Sequence, residues 1–514
     1  MKLPIKPIPS KNQPAKLADH LAKEKKFSSD LNQPVDWSRW GWWLWSKVWH
    51  PTSQSILLIT ILLLLSRGLG FVRQVLIYQK MDQLSSDLLL SSLKIPETII
   101  SFLIMGTVAS SVLPVATRIE AKTKSLDKVS DYFTLISFSL FTSLIVIIAS
   151  LLIFTRPVLV WVTSPEILQL YQQSGVFEDY VWVTRILLSG PLLFAIQGVF
   201  GVYLTMKKQF LVYGSASLIY NLSTVLALLV ARSNDYFTVA WGMTIGAGVS
   251  SGLFILTSLR NGLQLNLIRF LRSWQTIFHQ YKADFIQTIK LFLPRILVIN
   301  GAVLANLIII FIAQDKGQIT AVDIGLSIQA LFLVLISAVG TVFFPDLAKL
   351  FHSTDGNLQA FWRKLFQYTE KVALLAWVGS IVTFVCIPLV MWLFELFGKG
   401  QDNASYIILL ARVATLGLLF QSVNEILGKY FFVRERVWQP VLISVSGTLV
   451  QLASLFLLLQ LNWDAGVATA LALVLNNLAI TIISFYLILV DYKRERARTK
   501  NFPVSRSLVF KSTN

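Results

Sequence analysis

Residues 55–100 read SILLITILLLLSRGLGFVRQVLIYQKMDQLSSDLLLSSLKIPETII. Two apolar segments lie here on either side of a short polar joint at Gln79–Gln83. A helix needs about 20 mostly apolar residues to cross the hydrocarbon core of a membrane. Both segments meet that length, and they are too long and continuous for barrel strands, which would alternate. Yet they carry Arg67, Arg73, Asp87, Lys94 and Glu97. Placing Arg or Lys at the centre of a bilayer costs roughly 2.5–3.5 kcal/mol on insertion scales, so these side chains are expected to face a cavity rather than lipid.

The same pattern runs along the whole chain. Twelve apolar stretches can be drawn, at roughly 54–78, 85–115, 132–155, 180–205, 210–231, 237–258, 286–313, 320–345, 372–396, 405–428, 439–459 and 466–490. Across 514 residues, 55% are hydrophobic and 14% charged. Soluble domains carry about 25% charged residues. A soluble multidomain enzyme is therefore excluded, and the mean hydropathy of +0.64 agrees. Cys386 is the single cysteine, which excludes a disulfide scaffold and reads as an inert buried thiol in an apolar helix. The four histidines are scattered, so no zinc, haem or other cofactor is expected. No Walker loop, nucleophile elbow or histidine pair appears, and the chain reads as a transporter rather than an enzyme.

The net charge of +18 is explained by its placement. Most Lys and Arg fall in the two tails and in alternate connections, among them Arg118, Lys122, Lys124, Lys128, Lys207, Lys208, Arg269, Arg272, Arg434 and Arg436. The positive-inside rule then puts both termini in the cytoplasm, and the partners implied are membrane lipids, not nucleic acid. Residues 1–53 form a basic tail ending in a cluster of Trp37, Trp40, Trp42, Trp43, Trp45 and Trp49, which suits an interfacial anchor. Residues 259–285 place Leu263, Leu267, Phe270, Trp274 and Phe278 at helical spacing, so an amphipathic helix is expected there, on the inner face between two bundles. Residues 491–514 form a second basic tail.

The two halves echo each other. Gly106-Thr107-Val108 with Pro114 returns as Gly340-Thr341-Val342 with Pro345, an offset of 340 − 106 = 234. The connection beginning YLTMKKQF at Tyr203 returns as FFVRERVW at Phe431, an offset of 431 − 203 = 228. Each half holds an even number of spans, so the repeats are parallel. The expected architecture is all-α, with about 12 transmembrane helices in two six-helix lobes, 54–258 and 286–490, around a central cavity. Transporters with such repeats bind substrate between the halves.

Charges within the spans indicate the cargo. Arg67 and Arg73 stand about 9 Å apart along the helix axis and need not share a face; Gly68 and Gly70 offer a place to bend. The second span adds Asp87, Lys94 and Glu97 around Pro96, the seventh Lys290 and Arg295 beside Pro294, the fourth Arg185, and the tenth Arg412, Glu425 and Lys429. Bases outnumber acids in the helices that open each half, and a cationic cavity suits an anionic cargo, phosphate above all. Bland readings stand beside this one. Arg185, Lys290 and Lys429 lie near span ends, where they can snorkel. Asp87 can pair with Lys94, two turns along the same face. Asn221, Asn300, Asn476 and Asn477 suit hydrogen bonds between helices.

The opening motif, Ser66-Arg67, Leu69-Gly70-Phe71, Arg73, then Asp87 and Lys94 with Pro96, resembles the MurJ/MviN family of lipid II flippases, within the multidrug/oligosaccharidyl-lipid/polysaccharide exporter superfamily. The likeness continues through Gly106, Pro114, Gly201 and Asn221, and in the second half through Gly340, Thr341, Pro345, Arg412, Arg434, Pro440, Gln451, Gly466 and Asn476. It implies flipping of an undecaprenyl-pyrophosphate-linked peptidoglycan precursor from the inner to the outer leaflet of the bacterial cytoplasmic membrane. Arg67, Arg73 and Lys94 would meet the pyrophosphate and Asp87 would help gate. The wider set expected at the substrate is Arg67, Arg73, Asp87, Lys94, Glu97, Arg295 and Arg412. The chain departs from the family pattern where an arginine pair is usual (Ile100, Ser101), where an acid is usual (Met105) and near Leu326, the place of a further arginine. A monomer is expected, with other cell-wall synthesis proteins as possible partners. The rivals are a flippase for another lipid-linked oligosaccharide, a cation-coupled drug exporter, which would want an acidic cavity, and a non-transporting scaffold that acts through its tails.

Overall fold

The computed structural model describes residues 51–501, apart from 104–106, 208, 266, 297–300, 331–332, 334–357, 397–402, 435 and 437. The Trp cluster, Gly106, Asn300 and the 340–345 motif lie outside the described residues. The chain divides into two compact units, 1–58 and 59–514. Of the first, Pro51–Leu58 is described, as the opening turns of a helix. The rest of that helix and the other described helices belong to the second unit.

The described residues form helices and short connections. Helix α1 (Pro51–Lys80) is followed by α2 (Gln83–Leu103), α3 (Thr107–Thr123), α4 (Leu126–Ile153), two short helices α5 (Thr155–Val162) and α6 (Pro165–Gln173), then α7 (Phe177–Leu187), α8 (Gly190–Met206), α9 (Phe210–Val230) and α10 (Tyr236–Arg260). Helix α11 (Leu267–Ile296) packs on α3 and α4 and links the halves; the second half continues with α12 (Gly301–Ile312), α13 (318–330), α14 (Leu358–Leu396), α15 (Ala404–Leu416), α16 (Leu418–Val433), α17 (Trp438–Gln460) and α18 (Ala465–Asn501). Eight helical segments among the described residues are long and apolar enough to cross a membrane. They coincide with the third to sixth and the ninth to twelfth expected spans. The other four expected spans fall on α1, on α2 with α3, on α11 with α12, and on α13 with the undescribed residues after it.

Local chemistry sets the boundaries. Ser164 caps α6 by accepting from Ile167 N, with Pro165 in the first turn, where its missing N–H costs nothing. Asp235 caps α10 by accepting from Thr238 N. The fourth and tenth expected spans are each broken in two. One break falls at Ser189, ahead of Gly190-Pro191, and the other at Gly417. Their separation, 417 − 189 = 228, equals the offset between the two repeated connections.

Three expectations change in detail. Helix α1 runs through Gly68 and Gly70 without a break. Gly70 instead leaves room for Asn221 of α9, which donates to Ser66 O at 3.0 Å. The amphipathic segment and the start of the seventh expected span form one helix, α11, with a kink at Ser273. Its Phe270, Ile277 and Tyr281 are buried against α3 and α4, while Trp274 is exposed. Residues 491–501 continue α18 and pack back: Trp362 and Arg434 both bond Glu495, and Arg436 bonds Asp491. Cys386 is half-buried rather than buried.

The apolar core is not uniform along the bundle. One end carries the connections 81–82, 163–164, 231–235, 313–317 and 461–464, tied to each other by Asn234–Asp82, Ser164–Ala313 and Gln318–Asp464 bonds. Here a single buried cluster joins the halves, with Val75, Tyr78 and Leu88 in the same core as Ile319, Ile324 and Ile407. We call it the seam end. At the opposite, split end, each half keeps its own cluster among the described residues: Tyr132, Phe133, Tyr203 and Phe270 in one, Trp362, Tyr430 and Ile488 in the other. Apolar side chains such as Ile145, Val146 and Ile153 of α4 are exposed on the perimeter, as a lipid-facing surface requires.

Candidate functional site

The site is built where α2 crosses α13. Asp87 is 1% exposed and accepts three hydrogen bonds from the second half: from Gly317 N at 2.5 Å, Thr320 N at 2.8 Å and Thr320 Oγ1 at 2.6 Å. Those amides open α13, so Asp87 acts as its N-cap from another helix, placing negative charge where the free N–H groups point. Ser86 supports it with a 2.9 Å bond to Thr320 Oγ1.

Two turns along the same face, Lys94 also reaches across. Its Nζ donates to Asp323 Oδ1 at 2.5 Å, and Gln74 Nε2 of α1 donates to Asp323 Oδ2 at 2.7 Å. The Lys94 side chain is 2% exposed and that of Asp323 12%. Glu97 stands one turn on, 3.8 Å from Lys94 Nζ, with its side chain 44% exposed. Asp87 and Lys94 therefore do not pair with each other; each finds a partner on the far half. Pro96 cannot donate back along α2, and Thr98 Oγ1 bonds Lys94 O at 2.6 Å.

Lys94 and Glu97 open onto a cavity of about 240 Å³ that is also lined by Ser101, Phe194, Tyr220 and Asn306. Asn306 Oδ1 is buried there without a hydrogen-bond donor among the described residues. Arg73 is half-buried, its Nε unbonded among the described residues, and it lies within electrostatic range of Lys94, Glu97 and Asp323. Arg67 is exposed and interacts electrostatically with Arg73. The cluster thus sets Arg73 and Lys94 against Glu97 and Asp323. It is a balanced site rather than the open cationic pocket that the bases alone suggest.

The other expected residues are not brought together here. Arg412 lays its guanidinium over the Phe384 ring of α14, 5.1 Å from the centroid. Arg295 belongs to α11, and its side chain lies outside the described part. Arg185 stacks on Trp182 at 5.0 Å, Lys290 is exposed and Lys429 pairs with Glu425 at 3.3 Å, as side chains near span ends do. Asn221 and Asn476 bond neighbouring helices, and Asn477 O accepts from Asn424. Ile100 and Ser101, which stand where the family usually has arginines, line the cavity, and Leu326 is buried. Sequence reasoning missed Asp323 and Gln74. A carboxylate inside the apolar run 320–345 was the available signal.

An ammonium and a carboxylate on the cavity wall, with the Arg73 guanidinium and the Asp323 carboxylate within electrostatic range, can exchange partners with a phosphate. Among the described residues no group of three His, Cys, Asp or Glu is placed to hold a metal.

Residues 82–504 match a family described as "Lipid II flippase MurJ". The chain is 24% identical over 449 residues to a "Probable lipid II flippase MurJ" of Borreliella burgdorferi, covering 85% of this chain and 83% of that one. Among solved structures, "Lipid II flippase MurJ, inward closed conformation" superposes with a TM-score of 0.66 at 14% identity, over 84% of this chain and 87% of that one. An inward-facing multidrug resistance MATE family transporter of the MOP superfamily superposes at 0.64 and 13% identity, over 87% of this chain and 98% of that one. The fold is that of these transporters.

Proposed function

The chain belongs to the MurJ family of lipid II flippases, and from that premise we propose that it carries lipid II from the inner to the outer leaflet of the bacterial inner membrane by alternating access. It is a multi-pass membrane transporter with a lipid-linked substrate, not an enzyme. The observation that carries the reading is the Lys94–Asp323 pair, buried between the halves at the edge of a cavity.

The lysine- and arginine-rich connections lie at the split end, so the positive-inside rule sets that end, and both termini, in the cytoplasm. The seam end then closes the outer side. A pyrophosphate entering from the cytoplasm meets Arg73 and Lys94; Arg412 and Arg295 stand outside this first contact. Phosphate competes with Asp323 for the Lys94 ammonium and weakens that pair as it binds. That competition loosens one link of the seam while substrate gains one. A ligand shifts a conformational equilibrium by its difference in affinity between the states, and here the difference lies in the ammonium. With the cell interior negative, moving one negative charge outward across 100 mV releases about 2.3 kcal/mol. The chain acts as a monomer with the isoprenoid tail kept in the bilayer, and its tails are the places for contacts with wall-synthesis proteins.

A second reading shares this mechanism with another undecaprenyl-pyrophosphate-linked oligosaccharide as cargo. Ile100 and Ser101 on the cavity wall favour it, since they remove two cations from the usual pattern.

The test is complementation of a bacterium depleted of its own lipid II flippase, with wild type, Arg73→Ala and Lys94→Ala at equal membrane levels. Rescue by wild type and failure of both variants is expected. No rescue by a correctly inserted wild type would transfer the cargo to the second reading. Rescue by all three would remove the site.

A further inference from the structure

The charged cavity has an apolar neighbour. A groove of about 420 Å³ lies on the perimeter between α2, α4 and α12, with Ile95 and Ile99 on one wall and Val146, Ile147 and Leu151 on the other. Thr98 and Leu307 line both the groove and the cavity of Lys94 and Glu97. The two spaces therefore share a wall, charged on one side and hydrocarbon-like on the other. The two hydroxyls in the groove are already used: Thr98 Oγ1 donates to Lys94 O, and Ser150 Oγ donates to Val146 O at 2.8 Å. Nothing polar is left to be satisfied by a ligand there. Val146 is 60% exposed and opens the groove to the lipid side.

We propose that this groove holds the isoprene units next to the pyrophosphate of the lipid-linked substrate while its head occupies the cavity. The proposal rests on the transport reading above and adds the path of the tail. The position selects the occupant. Ile95 and Ile99 lie on α2 beyond Lys94, and Leu307 lies midway along α12, so the groove is within the hydrocarbon depth. A phospholipid keeps its head at the interface and has no polar group to place beside Lys94. A lipid whose charged group has been drawn into the cavity must leave sideways at this depth, and the groove is the apolar surface that adjoins it. Burial of its methyl-branched chain against Ile and Val side chains supplies the hydrophobic term.

The full chain, in membrane vesicles, would carry p-benzoylphenylalanine in place of Ile147 in the groove, Ser101 in the cavity or Val230, an 81% exposed apolar site on α9. Each is irradiated with tritiated undecaprenyl pyrophosphate. We expect labelling at 147 several-fold above 230, suppressed by inorganic pyrophosphate together with labelling at 101. Leu151→Trp, which fills the groove, should abolish 147 labelling and transport while 101 labelling persists. Labelling at 147 equal to 230, with 101 labelled, overturns the groove and spares the cavity. Labelling at neither 101 nor 147 above the control overturns the substrate reading and the groove with it. Labelling at 147 that yields to excess phosphatidylglycerol but not to pyrophosphate assigns the groove to bulk phospholipid and overturns the proposal.

Discussion

Among the described residues, polar bonds cross between the halves at the seam end; at the split end they run within each half, once α11 is counted with the first half on which it packs. Asp87 to Thr320, Lys94 to Asp323 and Ser164 to Ala313 all cross from the first half to the second. At the other end Arg118 bonds Asp284 of α11 and Lys207 bonds Glu120, bracing α11 and the first set of helices, while Arg434 bonds Glu495 and Arg436 bonds Asp491 within the second. Buried polar groups without partners are costly, so these bonds show which surfaces the fold holds together in this state. The same chemistry braces a lobe at one end and joins two lobes at the other. Only the second arrangement can be exchanged for a substrate.

The sharpest break of that contrast is Asp87→Ala. It strands two buried amides at the start of α13, at about 1–3 kcal/mol each, and leaves Thr320 Oγ1 with Ser86 alone. The expected cost, several kcal/mol, falls on the seam and not on either lobe. A cysteine at Gln83 should become reactive to an impermeant thiol reagent added from outside, and transport should fail while membrane level is kept. Unchanged reactivity would mean that the apolar core alone closes that end.

Arg434→Ala is the matching cut at the split end. The side chain is 6% exposed, bonds Glu495 at 2.7 Å and lies 4.9 Å from the centroid of Tyr430 and 5.2 Å from that of Trp362. Losing the buried pair and the ring contacts should cost about 3 kcal/mol. It should appear as a lower unfolding temperature in detergent, with outside reactivity at position 83 unchanged. A rise in that reactivity would erase the distinction between bracing and joining.

The exchange of Lys94 between Asp323 and phosphate predicts strong coupling between those two side chains. Lys94→Met alone leaves an unpaired carboxylate; Lys94→Met with Asp323→Leu removes both charges. A double-mutant cycle on thermal stability should return at least about 1 kcal/mol of coupling, and the double variant should be stable yet inactive. Additive effects would show that the pair does not hold the seam.

These contacts differ in how far the sequence announced them. The spans were legible because apolar runs of about 20 residues have one common use. The two breaks at 189 and 417 were half legible: Gly190-Pro191 marks one, and a lone Gly417 with the repeat offset marks the other. Helical period places Asp87 and Lys94 on one face of α2, but it does not say which helix opposes that face. Thr320 and Asp323 lie 233 and 229 residues away. The local pairing of Asp87 with Lys94 was therefore a fair expectation, and it failed because the long-range partners fit better. The merging of the linker with the seventh span in α11 was hidden for a different reason. Asp284, Gln287 and Thr288, which tie it to Arg118 and Tyr132, carry no pattern of their own.

The smallest effects come from two glycines, one at each end. Gly317 has φ +87° and Gly262 has φ +89°, a region in which a side chain costs about 1 kcal/mol. Alanine at either position should lower stability by that amount. Their surroundings separate them. At Gly262, in the split-end turn between α10 and α11, the nearest atom to a new Cβ is Leu126 Cδ1 at 3.7 Å, an ordinary contact. At Gly317 the new Cβ would meet Asn403 Nδ2 at 2.9 Å and Gln83 Cγ at 3.2 Å, and the Gly317 amide is the one that Asp87 accepts from. Gly317→Ala should therefore push the seam apart and raise outside labelling of a cysteine at position 85, a buried serine of α2 beside the seam, while Gly262→Ala changes stability alone. Equal labelling in both variants would mean that the seam tolerates displacement of its best-bonded turn, and that Asp87 follows α13 rather than fixing it.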